Sequence, residues 1–195
     1  LNGGGTESTT CYKNCFIDHL NLTNLRGVMG AYSKMMAGIQ NRNRKSIESF
    51  YDSVSEWLDC LRSISESAQK TIGLLDFGNR VLVHCSDGWD RTPQISSLVR
   101  ICLDPYIRTL EGFLSLIEYE WIMLGHKFQS RLRNLTKDNS PIFIQFLELV
   151  AMLLRKYPHS FQFNEKALID IAQESVCPTT GTFLYNNEKE RRMFN

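Results

Sequence analysis

Between His84 and Thr92 the chain reads His-Cys-Ser-Asp-Gly-Trp-Asp-Arg-Thr, with five residues separating Cys85 from Arg91. Attack on a phosphate ester needs a sulfur or oxygen nucleophile, a cation that grips two phosphate oxygens, and backbone N–H groups converging on the anion. A tight loop entering a helix N-terminus supplies those donors and a dipole that favours anions. The same field lowers the pKa of a cysteine placed there, so the nucleophile is a thiolate at neutral pH. Cys85 is therefore the expected nucleophile and Arg91 the phosphate clamp. Ser86, Asp87, Gly88, Trp89 and Asp90 would present backbone amides, with Gly88 allowing close approach. Thr92 would turn its hydroxyl to the Cys85 sulfur and help the phosphocysteine break down, while His84 orients the loop and Trp89 walls one side of the pocket. Two carboxylates in an anion site must be turned away, protonated or used. The leaving oxygen needs a proton, which favours Asp90 as general acid and gives Asp87 the holding of a water or of the loop, roles that could be exchanged.

Spacing alone does not make such a site. Cys102 and Arg108 are also five apart, in Cys-Leu-Asp-Pro-Tyr-Ile-Arg. That segment has no glycine, Pro105 lacks an N–H, and no strand-like run leads into it. It reads as structural, with Cys102 on the apolar face of a helix. The first match has the right flanks. Arg80-Val-Leu-Val-His84 is a short apolar, β-branched run after the turn signal Gly78-Asn79, suited to a buried parallel strand. Thr92-Pro93 suits a helix start, and Ile95, Leu98, Val99 and Cys102 follow at helical spacing.

Elsewhere, Phe16 to Leu22 reads as a strand ending near Asn24, and Thr182 to Tyr185 as a weak third. Helical stripes run through Leu25–Met36, Ile47–Leu61, Leu110–Leu124 and Phe143–Leu154, with a shorter one over Glu165–Ala172. Gly3–Thr10, Asn41–Arg44 and Lys127–Ser140 read as polar connections. The expectation is an α/β fold: a partly parallel sheet flanked by helices, of the cysteine-phosphatase type, helix-rich and short of strands.

Composition narrows the classes. The chain has 195 residues, 22 Lys plus Arg against 21 Asp plus Glu, and a net charge of +1. Such balance gives no bulk attraction to nucleic acid, so anion affinity must be local. The 6 cysteines are too sparse for a secreted disulfide scaffold, and a working Cys85 must stay reduced, which favours the cytosol. Cys11, Cys15 and His19 recur every four residues but supply only three ligands, so no metal is expected there. Asn21-Leu-Thr and Asn134-Leu-Thr match the glycosylation pattern, which is common by chance.

The string Cys-Ser-Asp-Gly-Trp-Asp-Arg resembles the signature of the active myotubularins, and the resemblance continues in order along the chain. It includes Gly3-Gly4-Gly5-Thr6-Glu7 (Thr where the family usually has Tyr), Asp104-Pro105-Tyr106, Arg108-Thr109, Gly112-Phe113, Glu120-Trp121, Gly125-His126-Lys127-Phe128, Phe163-Asn164-Glu165 and Gly181-Thr182-Phe183-Leu184. The resemblance implies that residues 1–195 are part of a myotubularin-type phosphatase domain whose flanks and membrane-binding module lie outside this sequence. It implies removal of the 3-phosphate from phosphatidylinositol 3-phosphate and phosphatidylinositol 3,5-bisphosphate through a phosphocysteine, with Cys85, Asp90 and Arg91 as the catalytic set and no cofactor. It also places Asn24 near the substrate, and Lys127 and Arg131 near a 5-phosphate. The implied setting is cytoplasmic, peripheral on endosomal membranes, with a phosphoinositide lipid as ligand and homo- or hetero-oligomers with other myotubularins as partners. Two other readings stand beside it: a protein tyrosine or dual-specificity phosphatase, which shares the loop chemistry, and a non-catalytic adaptor of an active myotubularin.

Overall fold

The computed structural model describes residues 14–41, 46–133 and 138–194. The expected Gly3–Thr10 loop, the Gly3–Glu7 resemblance, Cys11 and Asn134, with parts of the two polar connections, lie outside these residues. Eight α-helices follow in chain order among the described residues: α1 (Leu25–Gln40), α2 (Ile47–Asp76), α3 (Arg91–Leu103), α4 (Leu110–Ile117), α5 (Phe128–Leu132), α6 (Ile142–Lys156), α7 (Glu165–Val176) and α8 (Glu188–Phe194). A 3-10 turn at Pro105–Arg108 joins α3 to α4, and α4 runs on into a π-helical turn at Glu118–Met123.

The helices begin where local chemistry tells them to. The side chains of Asn24, Ser46, Thr109 and Asn164 accept from the amides of Gly27, Ser49, Gly112 and Ala167, capping α1, α2, α4 and α7. Each such cap stabilises its helix by about 1 kcal/mol. The apolar stripes then meet. α1 packs on α2, α2 on α3, α3 on α6, and α6 on α7. Helix α3 is the most enclosed, burying Ile95, Leu98, Val99 and Ile101 together with the polar Gln94 and Ser97. Gln94 donates to the Ile142 carbonyl at 3.1 Å and to Gln145 at 3.0 Å, and Ser97 accepts from Trp121 Nε1 at 3.0 Å. Trp121, Phe128, Phe143 and Phe146, all without exposed surface, form the aromatic centre beneath the loop that precedes α3.

The sheet expected from the sequence is overturned. No strand occurs among the described residues, so the α/β expectation of a partly parallel sheet gives way to an all-helical architecture. Phe16 to Leu22 and Arg80 to His84 are irregular, and Thr182 to Tyr185 is a run of turns and bends. The physical reason is pairing. A strand exists through its ladder to a neighbour, and none of these segments forms one with another described residue. Their composition still shows in their exposure: Phe16 is 84% and Leu82 82% accessible, large side chains that a sheet would have covered.

Candidate active site

After Cys85, residues 86–90 are a succession of bends that opens directly into α3 at Arg91. Gly88 holds φ at +85°, a conformation that L side chains rarely adopt, and nothing lies within 4 Å of where a Cβ would stand. Backbone handedness rather than crowding therefore calls for glycine there. The turn brings the Gly88 amide to 3.3 Å from the Cys85 sulfur. Burial would push that thiol up, but the Thr92 hydroxyl and amide and the Gly88 and Asp87 amides win, and its pKa lies below the ordinary value. The buried Thr92 hydroxyl makes no hydrogen bond of standard geometry, so its pull on the sulfur is that of a nearby, imperfectly aligned dipole. Arg91 reaches back along the loop, its Nη2 3.4 Å from the Ser86 hydroxyl.

The second Cys–Arg pair behaves in the opposite way. Arg108 caps the end of α3, donating to the carbonyls of Ile101 at 2.8 Å and Cys102 at 3.2 Å. Its guanidinium is engaged in structure, and the partly covered Cys102 sulfur is pushed up by burial despite the nearby charge. Cys102 is exposed as a residue and does not lie on the buried face assigned to it from periodicity. Two pairs of equal spacing thus have opposite thiol shifts, and only the first sits at a helix N-terminus.

Asp90 occupies the N-cap position of α3, yet its carboxylate makes no bond to the first turn. It faces away. Arg131, 5% exposed, grips it with Nε to Oδ1 at 3.1 Å and Nη2 to Oδ2 at 2.8 Å. His126 Nδ1 approaches Oδ1 at 3.0 Å and the Trp89 carbonyl at 2.8 Å. Burial of Asp90 opposes ionisation, but the hydrogen bonds and positive field of His126 and Arg131 outweigh it and bring its pKa down to about 2. In this arrangement Asp90 is an ionised anchor that carries no proton at neutral pH. Asp87, in the same loop, is exposed. The Asp90 side chain does not cap the first turn of α3, where the Thr92 amide turns to the Cys85 sulfur, so the helix N-terminus faces the nucleophile.

Of the other residues singled out in the sequence, Lys127 reaches the loop, its ammonium 4.5 Å from the centre of the Trp89 ring. Trp89 is half-buried, with its Nε1 buried and unpartnered. Arg131 comes to the loop but faces Asp90 and the Asp138 carbonyl, at 3.2 Å, rather than solvent. The Asn24 side chain caps α1, accepting from the Gly27 amide at 3.0 Å. His84 is exposed. The residue that the sequence did not single out for the loop is His126, named only within the family resemblance. Its neighbourhood of Trp121, Phe128 and Phe143 was the available signal, since a histidine inside an apolar stripe must find a polar partner. No three acidic, histidine or cysteine side chains converge as a metal site among the described residues.

A loop of this geometry can bind and attack a phosphate ester, and comparison with known proteins assigns it a lineage. The sequence profile of the myotubularin-like phosphatase domain matches residues 1–192. The chain belongs to the myotubularin family. Among its relatives, the phosphatidylinositol-3,5-bisphosphate 3-phosphatase mtm-1 of Caenorhabditis elegans is 39% identical over 198 aligned positions, covering 97% of this chain and 33% of the relative. The human phosphatidylinositol-3,5-bisphosphate 3-phosphatase MTMR4 is 38% identical, covering 99% of this chain and 17% of the relative. The human phosphatidylinositol-3-phosphate phosphatase MTMR7 is 37% identical, with 97% and 30% covered. The chain of this myotubularin therefore spans a third or less of the curated relatives it matches.

Proposed function

We propose that this chain carries the catalytic loop of a phosphoinositide 3-phosphatase acting on phosphatidylinositol 3-phosphate and phosphatidylinositol 3,5-bisphosphate. The observation that supports it most is the lowered thiol of Cys85 at the N-terminus of α3, within a family whose relatives carry those substrate names. In this reading the Cys85 thiolate attacks phosphorus in line and the inositol oxygen departs. Arg91 and the loop amides hold the three oxygens of the transferring group, where charge develops. Water then displaces the sulfur from phosphorus, with the Thr92 hydroxyl beside the departing thiolate. The leaving oxygen needs a proton, and Asp90 here holds none. The exchange of roles allowed by the sequence then gives the acid to Asp87, exposed in the same loop, and makes Asp90 the anchor.

Lys127 remains the candidate contact for a 5-phosphate, since its ammonium stands beside the loop. Arg131 could serve there only by leaving Asp90. The lipid substrate implies work at a membrane surface, and we carry over the cytoplasmic, endosomal setting and the partnership with other myotubularins from the family resemblance. No helix among the described residues is long and apolar enough to cross a membrane.

The test is phosphate release from vesicles carrying each phosphoinositide, beside phosphotyrosine peptides, for the protein and its Cys85→Ser variant. We expect release from 3-phosphorylated lipids, abolished by Cys85→Ser while vesicle binding persists. A higher specificity constant for the peptide would favour a protein phosphatase. No release from any substrate would favour the adaptor reading.

A further inference from the structure

We infer that His126 is a positioning residue for the loop: its Nδ1–H pins the Trp89 carbonyl and the Asp90 carboxylate, fixing the peptide that joins the loop to α3. The inference rests on reading that loop as catalytic.

The ring is 1% exposed, and its two polar neighbours, at 2.8 Å and 3.0 Å, are a carbonyl and a carboxylate already held by Arg131. Both can only accept, so the hydrogen must be on Nδ1. Nε2 is buried and has no partner. It lies in an aromatic box, with the imidazole 5.0 Å from Trp121 and 4.7 Å from Phe128, both nearly perpendicular. An apolar side chain would fill this box without leaving a nitrogen unpaired. The histidine is explained by what its other nitrogen does.

Its backbone is fixed independently of the loop. Gly125, with φ at +86°, ends the helical run, the His126 amide donates to the Trp121 carbonyl at 2.9 Å, and the His126 carbonyl accepts from Phe128 at 2.9 Å. The π-helical turn at Glu118–Met123 precedes this, tied to α3 through Glu120, which accepts from Ser96 at 2.7 Å and Arg100 at 3.0 Å. An imidazole set in packed aromatic rings therefore reaches one peptide of an otherwise irregular loop. That peptide lies between the Gly88 amide and the Thr92 donors, the groups that hold the Cys85 thiolate. Freed from His126, it could swing and take those donors out of line, and small misplacements of preorganised groups are expensive in rate.

The test uses the difference between two amides. Asn places its NH₂ where the histidine has Nδ1, whereas Gln places it near Nε2. For His126→Asn, His126→Gln and His126→Phe, we would follow iodoacetamide alkylation of Cys85 against pH by peptide mass spectrometry, together with kcat and KM on phosphatidylinositol 3-phosphate vesicles. We expect Asn to rescue alkylation at neutral pH to within about twofold of the parent. Gln and Phe should raise the alkylation pKa by about one unit, roughly a tenfold loss of thiolate, and lower kcat with little change in KM. If Gln melts early, Phe carries the comparison because it fills the same aromatic box. Equal behaviour of Asn and Gln, or parental Cys85 reactivity in Phe, would overturn the inference. The alkylation pattern without lipid turnover in the parent would instead uphold the positioning role and remove the phosphoinositide reading.

Discussion

Removing the guanidinium of Arg131 should do more damage than any surface charge change on this chain. The Arg131–Asp90 pair has side chains only 6% and 8% exposed and is joined by two hydrogen bonds. Arg131→Met keeps the length of the side chain but leaves a buried carboxylate with His126 alone. Breaking a buried pair from one side costs about 3–5 kcal/mol, a large share of the roughly 5–15 kcal/mol that holds a domain together. Urea unfolding at neutral pH measures the loss. The double variant Arg131→Met with Asp90→Leu removes both charges and is expected to be more stable than Arg131→Met alone, because no unpaired charge remains. Acid supplies a second axis. The folded pKa of Asp90 is depressed from 3.8 to about 2, so its contribution is fully present above the ordinary value and is lost as pH falls through the folded one. At about 1.4 kcal/mol per unit, that amounts to on the order of 2 kcal/mol lost between roughly pH 4 and pH 2. Asp90→Asn should flatten this acid limb. A loss below about 1 kcal/mol in Arg131→Met, the size of an exposed pair, or an unchanged acid limb in Asp90→Asn, would refute the buried-clamp account.

Other expectations follow from single positions. Gly88→Ala forces a side chain into a left-handed conformation at a strain of about 1–2 kcal/mol; turnover should fall well beyond any change in melting temperature, because the Gly88 amide faces Cys85. Gly112→Ala would drive a Cβ into the Tyr106 carbonyl, which is backbone and cannot yield, so a loss of about 1–3 kcal/mol in unfolding free energy is expected. For the acid, Asp87→Asn should slow hydrolysis of an inositol ester by about a hundred- to ten-thousand-fold while sparing a nitrophenyl ester, and Asp90→Asn should slow both alike. The reverse pattern would return the acid role to Asp90.

Much of this was legible before any coordinates. The loop string declares itself through residue types, and the helices through apolar stripes and capping residues, since both depend on neighbours close in sequence. The stripe from Ile47 to Leu61 continued to Asp76, and α5, inside a segment read as polar loop, was missed because five residues carry little periodicity. The sheet failed for a different reason. β-branched composition expresses a preference for extension, but a strand needs a partner, and partners cannot be read from Arg80–His84 alone. Asp90 and Arg131 were given separate roles because 41 positions separate them. Nothing local says that a carboxylate beside Arg91 answers to an arginine in another helix.

That long-range pairing resolves the oddity of the loop. Two aspartates and one arginine between Ser86 and Arg91 look hostile to phosphate when counted along the chain. In three dimensions the Asp90 charge is matched by Arg131 and His126 on the side away from the first turn of α3, so it neither caps those amides nor competes for them. An incoming phosphate would meet Arg91, the start of α3 beside the Cys85 sulfur, and Asp87 at the exposed edge. A carboxylate held next to bound phosphate has its pKa raised by that negative charge. Binding the substrate would thus itself favour the protonated form that a general acid requires. Arg131 and His126 hold Asp90 ionised, and Asp87 is the exposed carboxylate of the same loop. The pH dependence of kcat should accordingly lose its basic limb in Asp87→Asn, and a limb retained there would show that the proton comes from another group.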